Sequence, residues 1–571
     1  MSAESLNPYL YSTFHALFAI GVCAIAWLYP SLGDRWFRNV EHTLAQFATH
    51  RKRALVSVFV VAIAVRLLLL PWFRVPVPGV ADEFSYLLMG DTFAHGRLGY
   101  PAHPMWLSLE TFCEFFFPTY CSVFNPAHGA VLALGQLLGH PWIGVLLSTA
   151  ALCAVLVWAL QAWMPARWAL LGGLFAILNI AVLSYWMNSY WGGSVAGIAG
   201  ALVLGAVPRI VRKQRLRDAV LLGIGAAILA NSRPLEGFIF CLPFAIALLW
   251  WMRGSSSPPT AVKFWKVTVP VGAILVVTLA FIGFYNYRLT GDALLMPHMK
   301  IWRDYLRSPM FVWETQKPFL HYNNKQMEEI YTVTLPAHYT RTWGGLWKVS
   351  SEKIALYWEV FLWAGAFPIL LCVPLLWRDR KGRWLLGLAL LCLAGLFAVT
   401  FSMPHYAAPV FCVFYAILVQ AFRHLRLLRS RGRPVGLALS RAAVVLLVFQ
   451  IATAIPERLH HPDAWFSVRG NENRALVMRK LTRMPGKHLV LVRYGEGHNI
   501  DREWVFNDAE IDASKVVWAR EMNAEQNDKL LAYYVDRHVW LVEPEGNPVA
   551  VVPYTAPDEA QPAQARVSQH P

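Results

Sequence analysis

The sequence predicts a mainly α, polytopic membrane helix bundle followed by a small α/β domain, and three observations carry that prediction. Of 571 residues 56% are hydrophobic and only 15% charged, with a mean hydropathy of +0.40, too little polar surface to cover a soluble globule of this size. Apolar runs long enough to cross a hydrocarbon core recur along the chain. Past residue 455 the pattern changes to short β-type runs around one amphipathic helix.

The apolar runs fall at 11–30, 54–72, 141–163, 167–184, 193–210, 217–232, 236–252, 264–284, 354–376, 383–402, 404–421 and 436–454, about twelve spans if shorter and kinked ones are admitted. The residues before the first run, MSAESLNPYLYS, lack a basic n-region and no small-residue cleavage site follows, so this run is expected to stay in the protein. The net charge of +16 comes from basic residues gathered in short segments between spans: Arg35 to Arg53, Arg209 to Arg217, Arg253 to Lys266, Arg378 to Arg383 and Arg423 to Arg433. Such segments read as topology determinants and argue against nucleic acid as a partner. With twelve crossings all five fall on one side, the cytoplasmic one by the positive-inside rule. The turns YWMNSYWGG, NSRPLEG and MPHY, the loops 73–140 and 285–353 and the segment after Pro456 then face outward, in a multi-pass protein of the cell (inner) membrane.

Three parts follow: a transmembrane domain over 1–455 with the two outer loops, an extracytoplasmic α/β domain over 456–555, and a Pro-, Ala- and Gln-rich tail over 556–571 expected to be disordered. In the α/β part HLVLVRY (488–494), KVVWARE (515–521) and HVWLVEP (538–544) read as strands, and NAEQNDKLLAYYV (523–535) as a helix. It carries no GxGxxG, no P-loop and no metal-type Cys/His spacing. In the first loop Ala127 to Leu138 forms an amphipathic stretch after Asn125-Pro126, suited to lie along the membrane surface.

Adjacent carboxylates, Asp82 and Glu83, stand at the head of that loop. Pro76, Pro78 and Gly79 interrupt the chain, and a helix is predicted from Asp82 until Gly96 stops it. Asp82, Tyr86 and Met89 share a face, while Glu83 is rotated by about 100°, so the two acids are not expected to do one job. The plainer alternative is that Asp82 caps the helix and Glu83 complements its dipole. Six cysteines lie in apolar runs as packing residues; Cys113 and Cys121 lie in the loop, where a disulfide is expected if it faces an oxidising compartment. His95, His103 and His128 match no ligand spacing, which leaves no cofactor assigned and a divalent metal open. Arg66, inside a predicted span, is expected to face the bundle interior, paired with an acid or a lipid headgroup.

The run Asp82-Glu83-Phe84-Ser85-Tyr86, with AHGRL (94–98), PAHPMW (101–106), NPAHGAVLALGQLLG (125–139) and the later Pro404-His405-Tyr406-Ala407-Ala408-Pro409, resembles the GT-C superfamily of membrane glycosyltransferases, in particular its protein mannosyltransferase and aminoarabinose-transferase branch. The resemblance covers about the first 420 residues in architecture and only these motifs in sequence. It implies a GT-C-like bundle and an enzyme moving a hexose or pentose from a polyprenyl-phosphate donor to a glycan, lipid or protein acceptor outside the cytoplasm.

The residues make chemical sense of that reaction. Such a transfer needs a base for the acceptor hydroxyl and cations for the departing phosphate. Asp82 suits the base, with Glu83 beside it. Arg233 with His405 and Tyr406, at outer span ends, suits the phosphate; Tyr86 and Lys300 complete the candidate substrate contacts. Arg233 snorkelling or pairing with Glu236, and His405 capping a turn, are the structural alternatives. A lipid or glycan transporter or flippase without transfer activity would want charges or broken helices near the bilayer middle and often an inverted repeat, and the sequence has no repeat. A scaffold or receptor would leave Asp82 replaceable.

Overall fold

A computed structural model describes residues 8–254, 259–361, 366–460, 470–495 and 497–555. The tail expected to be disordered, 556–571, lies outside the described residues. The chain opens with α1 (Pro8–Leu28), α2 (Asp34–Thr49) and α3 (Arg51–Leu68). Eight described helices are long and apolar enough to cross a membrane: Pro141–Leu160, Ala166–Leu183, Ser194–Lys213, Pro234–Arg253, Thr260–Thr290, Arg380–Ala398, Pro404–Leu427 and Val435–Thr453.

The difference from about twelve has local causes. Among the causes, α3 spends its first turn on Arg51, Lys52 and Arg53. Leu216–Ala230 has only 15 residues. The expected span 354–376 is no single helix: a helix runs from Trp343 to Phe361, and a short helix Phe367–Leu370 and a 3₁₀ turn Val373–Arg378 follow, with Pro368 and Pro374 each removing a backbone donor.

Residues of the basic segments 35–53, 378–383 and 423–433 meet at one end of the bundle, and the turns around Tyr185, Arg233 and Tyr406 meet at the other. Close approach depends on small residues. A Cβ on Gly200 would sit 2.0 Å from the Pro409 carbonyl oxygen, so the helix Ser194–Lys213 meets the Pro404 turn backbone to backbone. Arg66, fully buried, pairs with no acid among the described residues: it donates to Asn188 Oδ1 (3.0 Å) and to the carbonyls of Phe73 (2.8 Å) and Arg74 (3.1 Å), with Trp142 stacked on it at 4.7 Å. Carbonyls of an irregular segment replace the expected counter-charge.

The first outer loop carries α4 (Ala81–Ala94), the helix Pro126–Leu137 and an antiparallel sheet of β1 (Tyr100–Pro101), β2 (Glu114–Phe115) and β3 (Thr119–Ser122) in the order β1-β3-β2. This sheet separates the two cysteines. Phe115 opposes Cys121 and Glu114 opposes Ser122, so Cys113 and Cys121 are diagonal, and both are free thiols. The expected disulfide is therefore absent.

The α/β domain contains the helix Glu472–Arg483 and the sheet β5-β4-β6-β7, where β4 (Lys487–Val492) lies parallel to β5 (Val516–Arg520) and β6 (Arg537–Val542), and β7 (Val551–Pro553) antiparallel to β6. It docks on the first loop. Phe506 stacks on Phe84 at 4.2 Å and 5°, Tyr120 donates to the Asn507 carbonyl at 3.0 Å, and the Ala509 N–H donates to Asp91 at 2.9 Å. Thus α4 is held between the bundle and the α/β domain.

Candidate functional site

The site is assembled at the end of the bundle away from the basic segments. Val80, in extended conformation, is the N-cap of α4, which makes Asp82 the second helical residue and Glu83 the third. Glu83 closes the cap, not Asp82. One Glu83 oxygen accepts the Gly79 N–H (2.8 Å) and the Val80 N–H (3.3 Å), and the other accepts the Tyr190 N–H (2.9 Å). The candidate catalytic Glu83 is thus a buried clamp joining α4 to the turn 184–193.

That turn is shaped by two glycines. Gly192 has φ +89°, Gly193 has φ +120°, and a Cβ on Gly193 would fall 2.4 Å from the Trp186 ring, so no other residue fits. Its Tyr190 hydroxyl donates to the Pro76 carbonyl (3.0 Å), and the Tyr190 carbonyl accepts from His128 Nε2 (2.8 Å). These bonds aim the next residue, Trp191, whose indole donates toward Asp82.

Asp82 is half-buried and faces a cluster of groups. Burial pushes its carboxyl up to about 6, against the opposing influence of Trp191 and Arg233, while Asp501 from the turn Ile500–Arg502 of the α/β domain adds like charge. Burial likewise raises Glu83, to about 7, against its three backbone donors. Tyr86, one turn on from Asp82, stacks on Phe124 at 4.4 Å and meets His128 edge-on at 4.8 Å.

Arg233 is the N-cap of the helix Pro234–Arg253, and its guanidinium lies over the Tyr406 ring at 4.1 Å. Its charge reaches Asp82, Tyr86, His128, His298, His405 and Tyr406, so all of these groups lie in its neighbourhood. Among the described residues Arg233 makes no ion pair. Glu236 lies near enough for their charges to interact. His405 Nδ1 is 3.0 Å from the Tyr185 hydroxyl, and its ring lies against Trp191 at 5.2 Å.

The structure therefore brings Asp82, Tyr86, Arg233, His405 and Tyr406 together, and leaves Lys300 apart. Lys300 is on the helix Pro297–Asp304, paired with Asp304 and lying over Phe115 at 5.4 Å. Its helix neighbour His298 takes the inward place: burial and the Arg233 charge lower it to about 4, and the Trp302 N–H donates to its Nε2 at 3.0 Å, leaving the proton on Nδ1. Trp191 and Asp501 were not singled out as site residues in sequence, since nothing but the fold joins them to Asp82.

Among the described residues no group of three or more His, Cys, Asp or Glu side chains is set to hold a metal ion. Asp82 and Asp501 supply two carboxylates, short of such a set.

No protein-family model and no curated protein matches the chain. Solved structures similar to it are those of the oligosaccharyltransferase of Archaeoglobus fulgidus. The complex of that enzyme, AglB, with an inhibitory peptide and a dolichol-phosphate is 11% identical, with 86% of this chain and 69% of that chain covered at a TM-score of 0.40. The form tethered to an acceptor peptide is 13% identical (86% and 68% covered, TM-score 0.39), and the complex with Zn and sulfate is 13% identical (86% and 67% covered, TM-score 0.45). At such identities and scores no residue of theirs is placed on this chain.

Proposed function

We propose that the protein transfers a sugar from a polyprenyl-phosphate donor to a hydroxyl-bearing acceptor, on the extracytoplasmic side of the membrane. The observation that carries this reading is the pairing of functions: a carboxylate raised to about 6, and an arginine that makes no ion pair among the described residues, lie within reach of each other's charge at one end of the bundle. A base with that pKa is ionised at neutral pH and still takes a proton readily.

In the proposed step the acceptor oxygen attacks the anomeric carbon, the bond from that carbon to the phosphate oxygen breaks, and its electron pair leaves on the phosphate. The acceptor proton passes to Asp82. Arg233, held flat by Tyr406, meets the phosphate charge, and His298 and His405 line its approach. Glu83 orients α4 and the Trp191 turn, and takes no part in proton transfer.

The test is reconstitution of the full chain in vesicles with a polyprenyl-phosphate-linked sugar and a hydroxyl-bearing acceptor. Release of free polyprenyl phosphate together with glycosylated product is expected. Donor that crosses the bilayer uncleaved would favour the transporter reading and overturn this one.

A further inference from the structure

At the opposite end of the bundle α2 lies over a cavity of about 1020 Å³, at the upper limit of the roughly 300–1,000 Å³ that small-molecule sites enclose. Its inner wall is apolar, with Val40 and Leu44 of α2 facing Leu171, Leu174 and Val444. Its rim carries six cations, Arg167, Lys381, Arg423, Arg426, Arg429 and Arg441, against two carboxylates, Glu41 and Asp379.

The carboxylates do not balance the rim. Glu41 is already shared by Arg426 (3.0 Å) and Arg441 (3.0 Å), and Arg441 also reaches Asp34 (2.7 Å). Three guanidiniums, those of Arg167, Arg423 and Arg426, surround the Trp168 ring at 5.6, 5.8 and 5.8 Å. Among the described residues Arg167 and Arg423 make no ion pair; Arg423 donates to Gln420 Oε1 (2.6 Å) and feels the charge of Asp379. Like charges gathered at the mouth of an apolar chamber are complementary to one chemistry, an anionic head on a hydrocarbon tail. The apolar face of the amphipathic α2, Trp36, Val40 and Leu44, lines the cavity and stays partly exposed along it.

We propose that this cavity binds a phosphate-bearing lipid of the surrounding leaflet, headgroup on Arg167 and Arg423 and chain under α2. The site is distinct from the candidate active site, since the two lie at opposite ends of the bundle, and it does not depend on the transfer reaction.

The experiment is native mass spectrometry of the full chain in detergent, titrated with dioleoyl phosphatidic acid, dioleoyl phosphatidylcholine or inorganic phosphate. Phosphatidic acid is expected to be retained roughly tenfold or more over phosphatidylcholine, and an Arg167→Gln/Arg423→Gln double variant to lose that preference. Leu171→Trp, which fills the chamber and leaves every charge in place, is expected to reduce retention of phosphatidic acid as well. Equal retention of the two lipids, retention unchanged in both variants, or displacement of the lipid by an equal concentration of inorganic phosphate would each overturn the proposal.

Discussion

Arginines and carboxylates occur at both ends of the bundle, and the two ends use them differently. At the basic end the acids are engaged: Glu41 accepts from Arg426 and Arg441, and although burial pushes its carboxyl up, those two guanidiniums bring it below its usual value. These bonds tie α2 to the helices that follow Pro404 and Val435. At the other end Asp82 and Arg233 feel each other's charge without forming an ion pair, and Asp82 stays above its usual value. Paired charges hold elements in place; charges kept near one another but unpaired retain the capacity to act on a third group.

The sharpest way to break this contrast is Asp82→Asn. Transfer is expected to fall by about 10²–10⁴-fold in a reconstituted rate measurement, because the amide cannot take a proton. The same variant sharpens it through pH. A carboxyl whose folded pKa of about 6 exceeds its unfolded value near 4 favours the protonated fold, so its ionisation removes stability as pH rises between those values. Asp82→Asn is therefore expected to melt later than the unmodified protein at pH 8, by a stability gain of order 1–3 kcal/mol, and to lose that advantage at pH 4. The unmodified protein's transfer rate is expected to decline as pH drops below about 6. A site variant that melts no later at pH 8 contradicts the strained state of this acid.

Arg233→Ala comes next, with a tenfold to hundredfold loss in donor use, read from rate against donor concentration; Arg233→Lys restores only part of it, since an ammonium lacks the two-pronged grip. Glu83→Gln is expected to lower thermal stability by about 1–3 kcal/mol, because it weakens an acceptor for three backbone donors, and to lower transfer far less than Asp82→Asn. The smallest effect is at the basic end. Glu41→Gln is expected to cost about 1 kcal/mol in a denaturation measurement, discounted because about a third of that side chain is exposed, and to leave transfer per folded molecule unchanged.

What the sequence made legible follows from how local each signal is. The helix at Asp82 could be placed because Pro76, Pro78 and Gly79 punctuate its start and Gly96 its end, and the three expected strands and the helix of the α/β part occur within a residue or two of their boundaries. Hydropathy located the apolar runs but could not say that prolines at 368 and 374 would divide one of them. The nearness of Arg233, His405 and Tyr406 to Asp82 was inferable from membrane depth alone, since all stand at the same ends of spans. Contacts set by side-chain packing were not: the clamp by Glu83, the carbonyl partners of Arg66, the diagonal cysteines and the inward turn of His298 in place of Lys300 each depend on register or on distant segments meeting.

The stack of Phe84 on Phe506 and the bond from the Ala509 N–H to Asp91, between residues 418 positions apart, also set an order of events during synthesis. The helix that bears Asp82 leaves the ribosome early, together with the cluster of spans it rests on. Its outer face stays bare until the α/β domain has been made and has folded, which comes only after the last span, Val435–Thr453, has left the ribosome. Folding of the α/β domain, and not insertion of the spans, is then the moment at which the surroundings of Asp82 are complete.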